Sequence, residues 1–274
     1  MSAPLPFCNL ESMLWYEQNW PTIQKLDKQT PVVMPLGSLE QHGHHLPLFV
    51  DTLQVTRIAE RVEKTMGDKV LMAPTLWLGC SEHHLDFPGT VSVPASMYSQ
   101  MIKSMARCVL RAGFKRIFFL NGHGGNQVPG AQALTEYVGE SDEADDAYLV
   151  FASWWQVGQK AIDPKKHGLT TPFISHACEY ETSMMLAIRP DLVDTSAIVD
   201  AKPVMHNAWW NSEYGGRVQV FRRFARLTAA GSMGNAKAAT AAKGEAMIEA
   251  VAGDVVAFLT EMAGWPAMPQ IGPR

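Results

Sequence analysis

The chain has 274 residues, 47% of them hydrophobic and 18% charged, and its 23 basic and 27 acidic side chains leave a formal charge of -4. This balance fits a globular protein with a sizeable core and excludes the disordered and membrane-spanning classes. With no basic run, the charge offers no footing for a nucleic-acid or anionic-membrane partner.

The first stretch, MSAPLPFCNLESMLWYEQNW, has neither the charged n-region nor the continuous apolar run of a signal peptide, so a cytoplasmic protein is expected. Cys8, Cys80, Cys108 and Cys178 are scattered without a CxxC pair, the usage of reduced thiols. PVVMPL (31–36) predicts the first strand, and TLQVTRIAERVEKTMG (52–67) predicts a helix with Leu53, Val55, Ile58, Ala59 and Val62 apolar. KVLMAPTL (69–76) predicts a strand. SMYSQMIKSMARCVLRAG (96–113) predicts a helix on the four-residue spacing of Met97, Met101, Met105 and Val109. Strands follow at RIFFL (116–120) and AYLVFASWW (147–155), a helix begins near His176, and Ala-rich 234–259 predicts a long packing helix before a loose tail, EMAGWPAMPQIGPR. Short apolar strands alternating with helices argue a mostly parallel sheet covered on both faces. No repeat, low-complexity block or linker divides the chain, so residues 1–274 are expected to form one domain.

Ligands of such sheets bind outside the carboxyl ends of the strands. Three polar clusters follow three predicted strands: GSLEQHGHHLPLFVD (37–51), GCSEHHLDFPGT (79–90) and NGHGGN (121–126). In the first, Glu40 and His42 point the same way on extended backbone. Asp51 stands where it could cap the helix expected from Thr52, but in that company it is also a candidate ligand. Carboxylates and imidazoles without thiolate suit Zn, Mn, Fe or Ni, and a carboxylate can bridge two ions. GHGGNQVPG lacks the lysine and spacing of a phosphate loop, so its glycines more plausibly let backbone pass close to a metal or substrate at which His123 points. In ISHACEYETSMML (174–186), His176 and Glu179 would share a face if the helix began at the histidine, with Glu181 on another, and spacing leaves the two glutamates undecided. Acids at a buried helix start want a partner.

These four motifs, in this order over roughly residues 31–190, resemble the creatininase (creatinine amidohydrolase) family, and GSMGNAKAATAAKG (231–244) resembles its C-terminal Gly-x-x-Gly element. The resemblance implies a three-layer α/β/α sandwich and a hydrolase of amide-type C–N bonds, assembled as a homo-oligomer, often a hexamer. It implies two divalent ions per chain, Zn or Mn with Fe admissible, held by Glu40, His42, Asp51 as the bridge, and His123. His176 matches the catalytic histidine. Creatininase proper takes a further ligand two residues after the motif histidine, where this chain has Gly125, and the Glu-Thr-Ser run makes Glu181 the substitute over Glu179. Creatininase proper also has a tyrosine where this chain has Gly124 and tryptophans that close over creatinine, whereas Pro172 stands four residues before His176.

The expected chemistry is hydrolysis of a cyclic amide or related small molecule by water activated between the ions, with His176 carrying a proton to the leaving nitrogen. Ser81, Glu82, His83, Gly124 and Trp154, with Trp155 beside it, are the candidate substrate-binding residues; His44, His45 and His84 read equally well as structural, and His167 and His206 as ordinary. The alternatives are creatinine amidohydrolase proper and a deformylase acting on a heterocyclic intermediate. A binding protein without catalysis would have no use for His176, and no GxSxG elbow supports a serine hydrolase.

Overall fold

The computed structural model describes residues 13–200, 204, 206–211 and 215–272; Cys8, most of the N-terminal stretch read above and the last two residues of the tail lie outside them. In chain order the elements are α1 (Trp20–Lys25), β1 (Val32–Leu36), α2 (Val50–Met66), β2 (Leu71–Met72), α3 (Ala95–Arg111), β3 (Arg116–Asn121), α4 (Gln127–Glu140), β4 (Tyr148–Ser153), α5 (Trp154–Val157), α6 (Pro164–His167), α7 (Glu179–Ile188), β5 (Trp210–Asn211), β6 (Gly215–Gly216) and α8 (Ala241–Ala263), joined by short 3-10 turns. The main sheet runs β2-β1-β3-β4 and every pairing in it is parallel. Leu36, Asn121 and Ser153 stand in register at its carboxyl end. β5 and β6 pair antiparallel as a separate ribbon. No helix among the described residues is long and apolar enough to cross a membrane.

Strand side chains alternate between two cores, as a pleated backbone requires. Val33, Phe118 and Leu120 join one core with α2, α5, α7 and α8, while Val32, Met34, Leu36, Ile117 and Phe119 join the other with α3 and α4. The result is the expected three-layer α/β/α sandwich. Each fully buried Val, Leu, Ile or Phe contributes roughly 1.5–3 kcal/mol relative to exposure, so both layers are needed to hold the sheet.

Several local expectations are corrected. The buried stripe of α3 is Tyr98, Ile102, Ala106 and Val109 rather than the methionines, and Met97 is 54% exposed. A strict four-residue spacing drifts around a 3.6-residue helix, whereas the 4-4-3 spacing stays on one face. β2 is only two residues long; the Ala73 amide still donates to Val33, and after Pro74 and Thr75 the chain returns to Leu36 as an isolated bridge at Leu76. Asp51 lies inside the first turn of α2 and does not cap it; Phe49 is the capping residue and supplies no side-chain bond. α8 begins at Ala241, where the Thr240 side chain accepts from the Lys243 amide; Ala239 and Thr240 are extended, which separates the 3-10 turn at Ala236–Ala238 from the helix. The tail is anchored at its start: Arg116 donates to the carbonyls of Met262 and Trp265, and the Tyr148 hydroxyl to that of Pro266.

α7 starts at Glu179, three residues later than His176. Ala177 takes φ +50 and Cys178 is extended, so His176 sits before the helix and shares no helical face with Glu179. Glu179 is fully buried. Its Oε2 accepts from the amides and hydroxyls of Thr170 and Thr171 at 2.7–2.9 Å, and its Oε1 faces Lys243 Nζ at 2.8 Å. Burial alone would raise its pKa, but the ammonium and those donors outweigh it and hold the carboxyl below its ordinary value. Glu179 thus binds α7 to α8 and to the 170–171 loop.

Glu179→Gln should lower unfolding free energy by about 3 kcal/mol at neutral pH, because the partly buried Lys243 loses its counter-charge. The folded-state pKa is depressed, so this contribution is present above the unfolded carboxyl value near 4.5 and is lost as pH falls through the folded one. Urea denaturation of wild type and variant at pH 7 and at about pH 3 should show the gap narrowing at the lower pH.

Candidate metal centre

Four polar segments converge at the carboxyl edge of the sheet. Leu39 to His42 follow β1, Ser81 to His84 follow the Leu76 bridge, Asn121 to Asn126 follow β3, and His176 to Glu181 lead into α7. Two asparagines tie them together. Asn121 Nδ2 donates to the His123 carbonyl and to Ser153 Oγ, and its Oδ1 accepts from the His123 amide. Asn126 donates to the Gly37 carbonyl and accepts from the Cys80 amide. The backbones pass so closely that a Cβ on Gly37 would strike Thr52, and one on Gly125 would fall on the Cys80 carbonyl and the His123 ring.

Asp51 is the hub. Its Oδ1 lies 3.2 Å from His42 Nε2, and its Oδ2 lies 2.8 Å from His123 Nδ1 and accepts from Ser38 Oγ at 2.7 Å. Glu40 Oε1 is 3.4 Å from His123 Nδ1, 3.5 Å from His84 Nε2 and 3.7 Å from His176 Nδ1. Glu181 Oε2 lies 4.0 Å from His42 Nε2 and accepts from the Ala177 amide at 2.5 Å. The far side of each imidazole is used: His42 Nδ1 lies 3.1 Å from the Glu40 carbonyl, and His123 Nε2 lies 3.1 Å from both Ser81 Oγ and the Cys80 carbonyl. Those contacts turn the other ring nitrogen of each toward the carboxylates.

His176 Nε2 is 2.8 Å from the Gln41 carbonyl, which can only accept, so this nitrogen carries the proton and Nδ1 faces the centre with its lone pair. The Gln41 side chain accepts from the Gly43 amide through Oε1 and approaches His84 Nδ1 at 2.8 Å through Nε2. His84 Nδ1 is therefore the acceptor, and its Nε2 carries the hydrogen toward Glu40.

The electrostatics are those of acids and imidazoles buried together. Burial drives the Glu181 carboxyl up to about 8, helped by the Asp51 charge and opposed by His42. Burial resists protonation of His42, but Asp51 outweighs it and raises the imidazole to about 9. Burial, then the His42 charge, holds His176 down at about 3. Glu40 Oε2 and His42 Nε2 are buried without a hydrogen bond of good geometry. Carboxylate and imidazole atoms lie close enough for one cation in the sets Glu40, His42, Asp51; Glu40, His83, His123; His42, His176, Glu181; and Glu40, His84, His176. None of the side chains lining the cavity is Lys or Arg. Buried carboxylates without a lysine or arginine partner, orphaned donor atoms and imidazoles fixed from behind fit divalent cations.

The five residues expected as ligands and His176 are thus brought together, and Glu179 is kept away by its own partners. His83, His84 and Gly124 line the cavity, whose volume is about 250 Å³. Three expected substrate contacts are corrected. Ser81 is buried behind His123 and orients that ring. Glu82 is exposed and outside the cavity wall, since the tight 82–84 turn sends His83 and His84 inward and Glu82 away. Trp154 is 1% exposed and packs in the core, and Trp155 is the tryptophan that lines the cavity. Ser153 and Gln156 form a capping box that turns the chain from β4 into α5, so adjacent side chains diverge by a helical step. His45 is buried with Nε2 on Thr182 Oγ1 at 2.9 Å, a structural role.

Sequence reasoning missed Phe224, whose ring stacks on His84 at 4.3 Å and meets His176 edge-on at 4.7 Å. Nothing local in FRRFARL marks it, since only tertiary folding brings residue 224 to the site. It also passed over Ser38 and Gln41, for which the Gly-Ser turn and the position between two ligands were the available signals.

A family model described as creatinine amidohydrolase matches residues 16–259. The chain is 31% identical to a creatinine amidohydrolase of Pseudomonas putida over 229 residues, 80% of this chain and 84% of the relative. It is 31% identical to a mycofactocin precursor peptide peptidase of Mycolicibacterium smegmatis, with 82% of each chain covered. Among solved structures, a mutant creatininase of Zn-Zn type superposes with TM-score 0.77 at 28% identity, covering 91% of this chain and 98% of that one. A manganese creatininase gives 0.70 at 26%, covering 91% and 98%.

The two neighbouring glycines offer a test of this geometry. A Cβ on Gly124 would meet nothing within 4 Å, so Gly124→Ala should change stability by less than about 0.5 kcal/mol. Gly125→Ala should cost about 1–3 kcal/mol by overpacking against Cys80 and His123. Thermal and urea unfolding of the two variants would read the difference, and equal values would mean that the loop is more open than described.

Proposed function

Because the chain belongs to the creatininase family of hydrolases, we propose that it hydrolyses the amide bond of a small cyclic amide or related molecule, a carbon–nitrogen bond other than a peptide bond, at a binuclear divalent metal centre. The observation that carries this reading is the division of Asp51: its two oxygens face two different imidazoles, His42 and His123. Glu40 stands with His123 on one side, and Glu181 with His42 on the other. Glu40, His123 and Asp51 would hold one ion; His42, Glu181 and Asp51 would hold the second. Glu181 would thereby supply the carboxylate that Gly125 lacks.

Zinc and manganese suit these donors, as does iron, and when bound such ions polarise an amide carbonyl and make water acidic near neutrality. The protein supplies the rest. His176, held through Nε2 by the Gln41 carbonyl, takes a proton at Nδ1 and delivers it to the leaving nitrogen, without which amide cleavage stalls. Phe224 packs over His84 and His176 and fixes both rings, while Trp155 and Ile174 narrow the cavity and limit water. The same reading places the enzyme in the cytoplasm as a homo-oligomer, a hexamer by family resemblance. Creatinine amidohydrolase proper is the second reading, favoured by the Pseudomonas putida relative; a deformylase acting on a heterocyclic intermediate would use the same centre.

Protein purified without chelator should hold close to two divalent ions per chain by elemental analysis. Asp51→Ala should lose both, Glu181→Gln should lose about one, and Glu179→Gln and His45→Ala should keep both. Metal near zero with activity that survives EDTA would sink the reading.

Creatinine should be a poor substrate, because Gly124 offers no aromatic face where creatininase proper has a tyrosine, and a stacked contact is worth roughly 0.5–1.5 kcal/mol. A panel of lactams, cyclic imides and formamides assayed with Mn or Zn should contain a substrate at least about tenfold better. Creatinine kcat/KM at or above about 10⁴ per molar per second would favour the second reading instead.

A further inference from the structure

A second cavity, about 630 Å³ in volume, adjoins that of the metal centre, and Trp155 and Ile174 line both. Its inner wall is apolar. Ile162 is 7% exposed and Tyr180 1%, and the Tyr180 hydroxyl donates to the Thr171 carbonyl, so the tyrosine is engaged through its oxygen and contributes its ring. Pro172 and Phe173 complete the wall on the side leading to His176, and Phe173 is 63% exposed. Two of the nearby polar groups are engaged locally: Gln156 Oε1 accepts from the Ser153 amide, and Asp163 Oδ1 accepts from the Lys165 amide. The centre's own cavity, with about 250 Å³, has room for a reacting amide group, and of the large apolar residues on its wall, Trp155, Ile174 and Phe224, the first two lead on into the second cavity.

We propose that the second cavity is the other half of the substrate site and takes an apolar substituent, best an aryl ring, carried by the scissile amide, with Trp155 and Ile174 as the shared wall. The proposal rests on the reading of the metal centre given above and names the class of substrate that the centre serves: amides extended by an aromatic or branched aliphatic group. A ring seated against Trp155 and Phe173, over the floor that Ile162 and Tyr180 close, leaves water for two aromatic faces, while the amide is held at the carboxylate and imidazole cluster. Phe173 and Trp155 then act as specificity-determining residues, without contact to the proton at His176.

The test compares two hydroxamates that anchor on the metal centre and differ only in reach. Acetohydroxamate and 4-phenylbutanohydroxamate are titrated calorimetrically into the manganese-loaded full chain. The aryl ligand should bind at least about tenfold more tightly, a gap of about 1.4 kcal/mol. Gln159→Trp, at an exposed position on the second cavity, should fill it and cut that gain to below about twofold, while acetohydroxamate affinity stays within about twofold of wild type. Phe173→Ala, also at an exposed position, should reduce the gain without touching the centre. No aryl gain in the wild type, or an equal gain in Gln159→Trp, would overturn the role of the second cavity and leave the metal centre standing. Failure of acetohydroxamate to bind the loaded protein would overturn the centre, and the subsite with it.

Discussion

The arrangement at Asp51 is the constraint on which the rest of the structure depends. Three carboxyl groups, Glu40, Asp51 and Glu181, are buried within reach of one another, and like charges in a low-dielectric interior repel unless something intervenes. His42 and His123 intervene on the two sides of Asp51, and Ser38 adds a hydroxyl. Burial pushes Glu181 up to about 8 even so, with the neighbouring Asp51 charge adding to it and His42 opposing it. A surface site could disperse the repulsion into water. This one cannot, so its geometry has to be fixed by the fold.

Fixation comes from the sheet edge. Parallel strands in register end together, and the loops leaving β1, β3 and β4 start from the neighbouring positions Leu36, Asn121 and Ser153. Asn121 and Asn126 then use their amides as cross-ties among those loops, and Gly37 and Gly125 let the backbones approach to contact. Behind the site, Glu179 ties α7 to Lys243 of α8 and to the 170–171 loop, which sets the place of Glu181 two residues on. Adjacent acids in one motif have opposite tasks: one is locked among protein donors, and the other is turned toward the cluster.

The centre and its surroundings are built from different parts of the chain. Glu40, His42 and His123 come from loops that follow strands, Asp51 from the first turn of α2, His176 from just before α7 and Glu181 from its first turn. The walls that would decide what enters come from elsewhere: Trp155 at the start of α5, Pro172 to Ile174 in the loop before α7, and Phe224 from beyond the β5–β6 ribbon. Relatives named for creatinine hydrolysis and for peptide cleavage match this chain at the same identity, 31%.

The sequence by itself determined the sheet-forming strands, their alternation with helices and the polar clusters that follow the strands, because hydrophobic period and local motif are properties of neighbouring residues, while the joining of Glu40, His42, Asp51, His123 and His176 into one site came from the family resemblance. It could not place Trp154 against Trp155, since the choice is a rotation of one helical step set by the Ser153–Gln156 capping box. Nor could spacing separate Glu179 from Glu181. That required the partners of each: two threonines and Lys243 for the first, the Ala177 amide and His42 for the second. The methionine stripe of α3 misled because the helix buries the row beside it, and Phe224 was invisible because its contacts with His84 and His176 span 140 and 48 residues of chain. Pattern fixes what a segment is, but which of its faces meets a buried charge is decided only when distant segments pack and each charge must find its counterpart.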